Sequence, residues 1–211
     1  MLYGLLLLLS LSGSPGDSSW WLRQDVRLLR LLNGIEHPVL QACLSAANAS
    51  SYPVFVGAPV GIWVTGALRG EPALRRAGFR MATAEGVVAG VVLVLKELIG
   101  RPRPYKTIPD LQLRSRDRLA SSTDAMPSGH AALAFSLATA GVLETRTWTA
   151  AFPLYAWAAS VALARPYMGL HYPSDVLFGA MLGTGLTWGV YRVWEALSPA
   201  PSGRHAAHQF P

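Results

Sequence analysis

The sequence is poor in charge. Of its 211 residues only 14% are Asp, Glu, Lys or Arg, while 51% are hydrophobic; ordinary soluble domains carry about 25% charged residues. The mean hydropathy is +0.30. That balance excludes a disordered chain and a typical soluble enzyme, and a single domain's length of such chain buries its apolar surface in lipid. Cysteine is almost missing too. Cys43 stands alone, which excludes an intrachain disulfide and a thiolate zinc site. No internal repeat of 20–50 residues is present, so a solenoid is excluded. Acids are the scarcer sign of charge: 12 Asp and Glu against 18 Lys and Arg leave a formal charge of +6. In a membrane protein such an excess sits in cytoplasmic loops, on lipid headgroups or around an anionic substrate.

The apolar runs predict five spans, at 52–68, 79–100, 128–145, 148–165 and 174–195, each close to the ~20 residues that cross ~30 Å of hydrocarbon. The expected fold is all-α, an integral membrane bundle of five transmembrane helices plus an N-terminal signal peptide or short sixth helix. The apolar run 5–11 is followed by Ser12, Gly13 and Ser14, like a signal-peptide core and cleavage zone, but no basic residue precedes it. For 1–16 both readings, signal peptide or short transmembrane helix, stay open. Segment 20–32 sets Trp20, Trp21 and several leucines among Arg23, Arg27 and Arg30, the pattern of an interfacial amphipathic helix within an interfacial region at 17–50. Residues 198–211 read as a disordered tail.

Loop 69–80 carries Arg69, Arg75, Arg76 and Arg80 against Glu71, and the positive-inside rule places it in the cytoplasm. Five crossings then put 101–127 and 166–173 outside. Loop 101–127 is itself basic, with Arg101, Arg103, Lys106, Arg114, Arg116 and Arg118, a conflict that dissolves if some of those charges bind substrate. Gly57/Gly61, Gly86/Gly90, Gly179/Gly183 and Gly185/Gly189 stand four apart and are expected to let helix backbones approach closely. Glu85 is an intramembrane acid, either a functional group or one side of an interhelical hydrogen bond.

Three clusters carry chemistry, each at the outer end of a span. Lys96 and Arg103 lie seven residues apart, nearly two helical turns, so both face one way if the helix continues; Pro102 and Pro104 end it. Pro127-Ser128-Gly129-His130 opens a span, where free N–H groups and the helix dipole suit an anion. Arg165, His171 and Asp175 form the third, with Asp175 spaced to hydrogen-bond the His171 ring. Of the five histidines, His37 has no cationic companions, and His205 and His208 fall in the tail. No His, Cys and carboxylate set stands at metal-ligand spacing outside these clusters.

Lys96-x6-Arg103-Pro104, Pro127-Ser128-Gly129-His130 and Arg165-x5-His171-x3-Asp175 resemble the three-part signature of the type 2 phosphatidic acid phosphatase superfamily, which includes vanadium-dependent haloperoxidases and bacterial undecaprenyl-diphosphate phosphatases. The resemblance spans residues 96–175 and implies a phosphatase domain at 51–197. It departs at Ala164, where the third motif usually has Ser. It implies that His171 attacks phosphorus, Asp175 holds and stabilises its ring, and His130 protonates the leaving oxygen and then activates water. It further implies that Lys96, Arg103, Arg165, Ser128 and Gly129 hold the phosphate, with no metal and no cofactor.

The implied substrate is a lipid phosphate or diphosphate, undecaprenyl diphosphate or a phosphatidic acid-type lipid, handled on the outer leaflet of a bacterial inner membrane. The implied partners are that substrate and membrane lipids, not nucleic acid. Two alternatives differ in class. A haloperoxidase is disfavoured by the short apolar chain, and a non-catalytic lipid-binding or transport protein by the intact His130, His171 and Asp175.

Overall fold

The structure, a computed structural model, describes residues 20–114 and 125–198. The readings placed on 1–16, on Arg116 and Arg118, and on the tail beyond Ser198 lie outside the described residues. Among the described residues there are seven helices and no strand: α1 (Trp20–Asn33), α2 (Pro38–Leu68), α3 (Pro72–Ile99), α4 (Pro104–Thr107), α5 (Gly129–Thr145), α6 (Trp148–Tyr167) and α7 (Pro173–Leu197). One of them, Pro38–Leu68, is long and apolar enough by length and composition to cross a membrane.

The sequence punctuates these helices clearly. Pro38, Pro72, Pro104 and Pro173 stand in the first turns of their helices, where the missing N–H costs nothing and the fixed φ is already helical. Thr145 ends α5 before Arg146, which is left-handed (φ 53°). α3 stops at Gly100, also left-handed (φ 58°), whose N–H bonds the Lys96 carbonyl at 3.0 Å. Glycine takes that conformation without steric cost. The helix therefore ends before Pro102, and Arg103 lies beyond the turn as the N-cap of α4. The helix ends just before the prolines expected to end it, and Lys96 and Arg103 do not share one helical face. α2 also starts well before the expected residue 52, as a continuous helix of 31 residues.

α5 sits at the centre, packed against α3, α6 and α7. Its buried surface is largely alanine: Ala131, Ala132, Ala134, Ala138 and Ala140 are fully enclosed. Small side chains bring backbones together, and Gly179 and Gly183 of α7 complete the contact. A Cβ at Gly179 would stand 2.5 Å from the Ser128 carbonyl oxygen, and one at Gly183 would collide with that of Ala132. The other three glycine pairs do not do this, because Gly57, Gly61, Gly86, Gly90, Gly185 and Gly189 face open space. The close approach of α2 to α3 depends instead on Gly66 and Gly78, where a Cβ would press on the partner backbone at 2.6 Å.

The helices alternate in direction, so their ends form two faces. On one face Arg80 bridges to Glu144 at 2.8 Å, and Phe79 meets Trp194 edge-on at 5.9 Å. On the other, Arg101 joins Ser174 and Asp175. Glu85 is buried between these faces beside Ser136, whose hydroxyl accepts from Thr187, so α3, α5 and α7 each bring a polar group there. Eleven residues of helix, about 16 Å, separate Glu85 from Lys96, and it takes no part in the site described next.

Candidate active site

All three sequence clusters meet at one end of the bundle. Lys96 comes from the last turn of α3, Arg103 from the start of α4, Ser128, Gly129 and His130 from the start of α5, Arg165 from the end of α6, and His171 and Asp175 from the turn into α7. Lys96, Arg103 and Arg165 all lie within electrostatic range of both His171 and His130.

Local structure explains each placement. Ser128 caps α5, its hydroxyl accepting from the Ala131 N–H at 3.5 Å, and its own N–H bonds the Asp175 carbonyl at 3.0 Å. This backbone bond ties the start of α5 to the start of α7. Asp175 is fully buried, and its Oδ2 accepts from the Tyr172 N–H at 2.8 Å, a side chain closing the first turn of its own helix. Arg165 is buried and donates to Asn48 Oδ1 of α2 at 2.5 Å. His130 is half-buried and meets the Tyr52 and Phe55 rings edge-on, with centroids 4.9 and 6.2 Å away. Ala164 is enclosed with Leu44, Tyr167, Met168 and Leu170. The position that the third motif usually gives to serine therefore lies within an apolar cluster.

His171 is 2% exposed. Its Nδ1 is 2.6 Å from the Ala125 carbonyl oxygen and 3.8 Å from Asp175 Oδ2. The carboxylate is within ion-pair range of the ring but beyond hydrogen-bond range, so the bond expected from Asp175 is made by the Ala125 carbonyl. A carbonyl only accepts, hence Nδ1 carries the hydrogen and the ring lone pair is on Nε2. Burial, and then Arg165, Arg103 and Lys96, push the His171 pKa well below the ordinary imidazole range, with the Ala125 bond opposing them. The ring is neutral.

That depression has a consequence for stability. Unfolded histidine titrates near pH ~6.5. Below that pH the unfolded chain binds a proton that folded His171 refuses, so this group's contribution is present above ~6.5 and is lost as pH falls, by up to about 1.4 kcal/mol per pH unit. His171→Asn keeps a donor for Ala125 and has no titrating ring. Thermal midpoints measured between pH 7 and 5 should fall more steeply for the unmodified protein than for His171→Asn; parallel slopes would mean that the folded ring protonates normally.

Sequence reasoning missed Asp25, Arg101, Asn48 and Ala125. Arg101 lies inside the first motif and was read only as loop charge. Asp25 is the lone acid among the arginines of 20–32, a signal that was available.

A family model described as the PAP2 superfamily matches residues 77–199. The lipid A 4′-phosphatase of Bacteroides thetaiotaomicron is 34% identical over 108 residues, 49% of this chain and 47% of that one; the chain thus spans about half the length of this curated relative. Two solved structures share the fold. The crystal structure of Aquifex aeolicus LpxE superposes with a TM-score of 0.70 at 22% identity, covering 85% of this chain and 99% of that one. The first transmembrane PAP2 type phosphatidylglycerolphosphate phosphatase, from Bacillus subtilis, gives 0.68 at 20% identity, covering 94% and 97%.

Proposed function

The chain belongs to the PAP2 superfamily, and from that premise we propose that it is an integral membrane phosphatase that removes phosphate from a lipid phosphate or diphosphate through a phosphohistidine on His171. The observation that carries this reading is the meeting of Lys96, Arg103 and Arg165 around a neutral His171 whose Nδ1 is already bonded. Only Nε2 is then left to react.

In the first step Nε2 attacks phosphorus, the Nε2–P bond forms, and the bond to the lipid oxygen breaks. His130, carrying a proton taken up when the anionic phosphate enters among the cations, gives it to that oxygen. In the second step His130 takes a proton from water, the water oxygen bonds to phosphorus, the P–N bond breaks, and orthophosphate leaves. Charge on the equatorial oxygens is met by Lys96, Arg103 and Arg165, with Ser128 and the Gly129 N–H at the helix start. Asp175, 3.8 Å from the ring, stabilises the positive charge that His171 gains on phosphorylation. Three fixed cations do the work that a metal ion does in other phosphoryl-transfer sites.

The lipid reading rests on the surface as well as the site. Trp63, Leu93, Phe152, Leu177, Met181 and Trp188 are all exposed large apolar side chains, more than a water-facing monomer tolerates. They lie on α2, α3, α6 and α7 and support a lipid-facing ring of four spans; α5, packed inside α3, α6 and α7, is proposed as the fifth, with the site at one membrane face. The relative from Bacteroides thetaiotaomicron and the neighbour from Bacillus subtilis are named for lipid A and phosphatidylglycerolphosphate, both lipid-borne phosphates. Those two substrates, phosphatidic acid and undecaprenyl diphosphate form the test panel. Phosphate release from at least one of them should persist in excess EDTA. Release that stops with chelator and returns with Mg²⁺, in a detergent system where lipid presentation is held constant, would contradict the cradle.

The site is proposed to face away from the cytoplasm. The 69–71 turn and the first turns of α3 lie on the opposite face from the site, and their Arg69, Arg75 and Arg76 against the single acid Glu71 favour the cytoplasm. Of the competing basic charge near the site, Arg101 is paired with Asp25 and Asp175, and Arg103 belongs to the phosphate cradle proposed above. In a Cys43→Ser background, Lys106→Cys should react with a membrane-impermeant thiol reagent in intact cells, and Arg69→Cys only after permeabilisation. The reverse pattern would place the site, and its substrate, in the cytoplasmic leaflet.

A further inference from the structure

Asp25 lies on α1, far in sequence from every signature residue and outside the family match at 77–199. It is nevertheless 5% exposed. Its Oδ2 pairs with Arg101 Nη2 at 2.8 Å and accepts from the Ser174 hydroxyl, and its Oδ1 accepts from the Ser174 N–H at 2.9 Å. Arg101 is 2% exposed; its Nη1 donates to Asp175 Oδ1 at 2.5 Å and to Ser174 Oγ at 2.8 Å, and its guanidinium lies 3.9 Å from the Tyr172 ring centroid. The Arg101 carbonyl accepts from the Ala125 N–H at 3.0 Å, and the Ala125 carbonyl accepts from His171. Arg101 thus reaches His171 by two routes, through Asp175 and through Ala125.

We infer that Asp25 and Arg101 are positioning residues for His171, so that the N-terminal amphipathic helix is part of the catalytic unit. This rests on the functional reading above. Two carboxylates share one guanidinium. With Asp25 ionised, Arg101 is not drawn wholly to Asp175, which keeps the negative charge that a phosphorylated His171 needs. Without the Asp25 charge, Arg101 neutralises Asp175 more completely, and the Arg101 segment whose carbonyl holds the Ala125 N–H loses one of its side-chain ties. The side chains of Asp25 and Arg101 are committed to each other, Asp175 and Ser174 and not to the proposed phosphate cradle, so the effect falls on turnover and not on substrate capture.

The same pair has a packing role, since breaking a buried ion pair leaves a charge uncompensated. The test therefore needs variants that keep shape and a readout that packing alone does not move. Asp25→Asn keeps an acceptor for Ser174, and Asp25→Glu restores the charge. In the full-length protein in detergent, assayed on whichever panel lipid the unmodified protein hydrolyses, Asp25→Asn should lower kcat roughly ten- to hundredfold. KM should stay within about twofold, Asp25→Glu should recover part of the loss, and Arg101→Lys should fall between. Single-turnover phosphoenzyme formation should slow in parallel. Monodisperse Asp25→Asn that matches unmodified kcat, or loses only KM, would overturn the link while leaving the phosphatase reading in place. No phosphate release by the unmodified protein on any panel lipid would overturn that reading and the link together.

Discussion

Replacing His171 by Ala should reduce phosphate release by about four orders of magnitude or more, because without the imidazole no nucleophile remains among the cations and only binding and electrostatics act on the substrate. The folded state should survive. Loss of the bond to the Ala125 carbonyl leaves a buried acceptor without its partner, worth about 1–3 kcal/mol, and His171→Asn retains a donor there. Both variants should insert into membranes and elute from gel filtration as the unmodified protein does. Measurable turnover near the unmodified rate in either variant would remove His171 from the mechanism, and with it the meaning of the neutral ring on the Ala125 carbonyl.

The second large effect is expected at His130. As the proton donor it matters most when the leaving oxygen is a poor leaving group. His130→Ala should slow hydrolysis of a lipid phosphate monoester by about 10²–10⁴-fold, and of an aryl phosphate with an acidic phenol by much less, since a good leaving group needs little protonation. His130 also packs against Tyr52 and Phe55, so His130→Asn, which fills more of that space, should show the same leaving-group dependence. Equal losses on both substrates would make His130 a phosphate-binding residue and not an acid. The leaving-group series separates the two roles because it changes the chemistry and leaves the protein alone.

The site was legible in the sequence where its residues follow from helix ends. Motifs opening or closing spans bring cations and imidazoles to one face whatever the packing, and the prolines and Gly100 that bound those spans are visible directly. What was not legible depends on contacts distant along the chain. Asn48 holds Arg165 across 117 residues, and Ala125 holds His171 across 46; no local pattern announces either.

The start of α2 was misplaced for a related reason. Gln41, Ser45, Asn48, Ser50 and Ser51 dilute the hydropathy of 38–51, yet Asn48 serves the site and the Ser50 hydroxyl accepts from Trp157 Nε1 at 3.0 Å. Asn48 and Ser50 are polar because they face groups of α6 that need partners, whereas Gln41 and Ser45 are exposed. The glycine pairs fail differently: spacing of four sets a common helix face but not what that face meets, and of the four pairs only Gly179/Gly183 meets a partner backbone. The Gly100 turn likewise separates two cations whose sequence spacing suggested one helical face.

The central claim is that phosphate passes through His171, and the most direct measurement is to trap it there. The full-length protein, mixed with lipid phosphate labelled in the phosphoryl group and quenched in alkali within one turnover, should carry label that is stable to base and lost in acid. Peptide mapping should place it on His171, and His171→Ala should carry none. Turnover without a labelled protein under those conditions, or label mapped to another residue, would contradict the account.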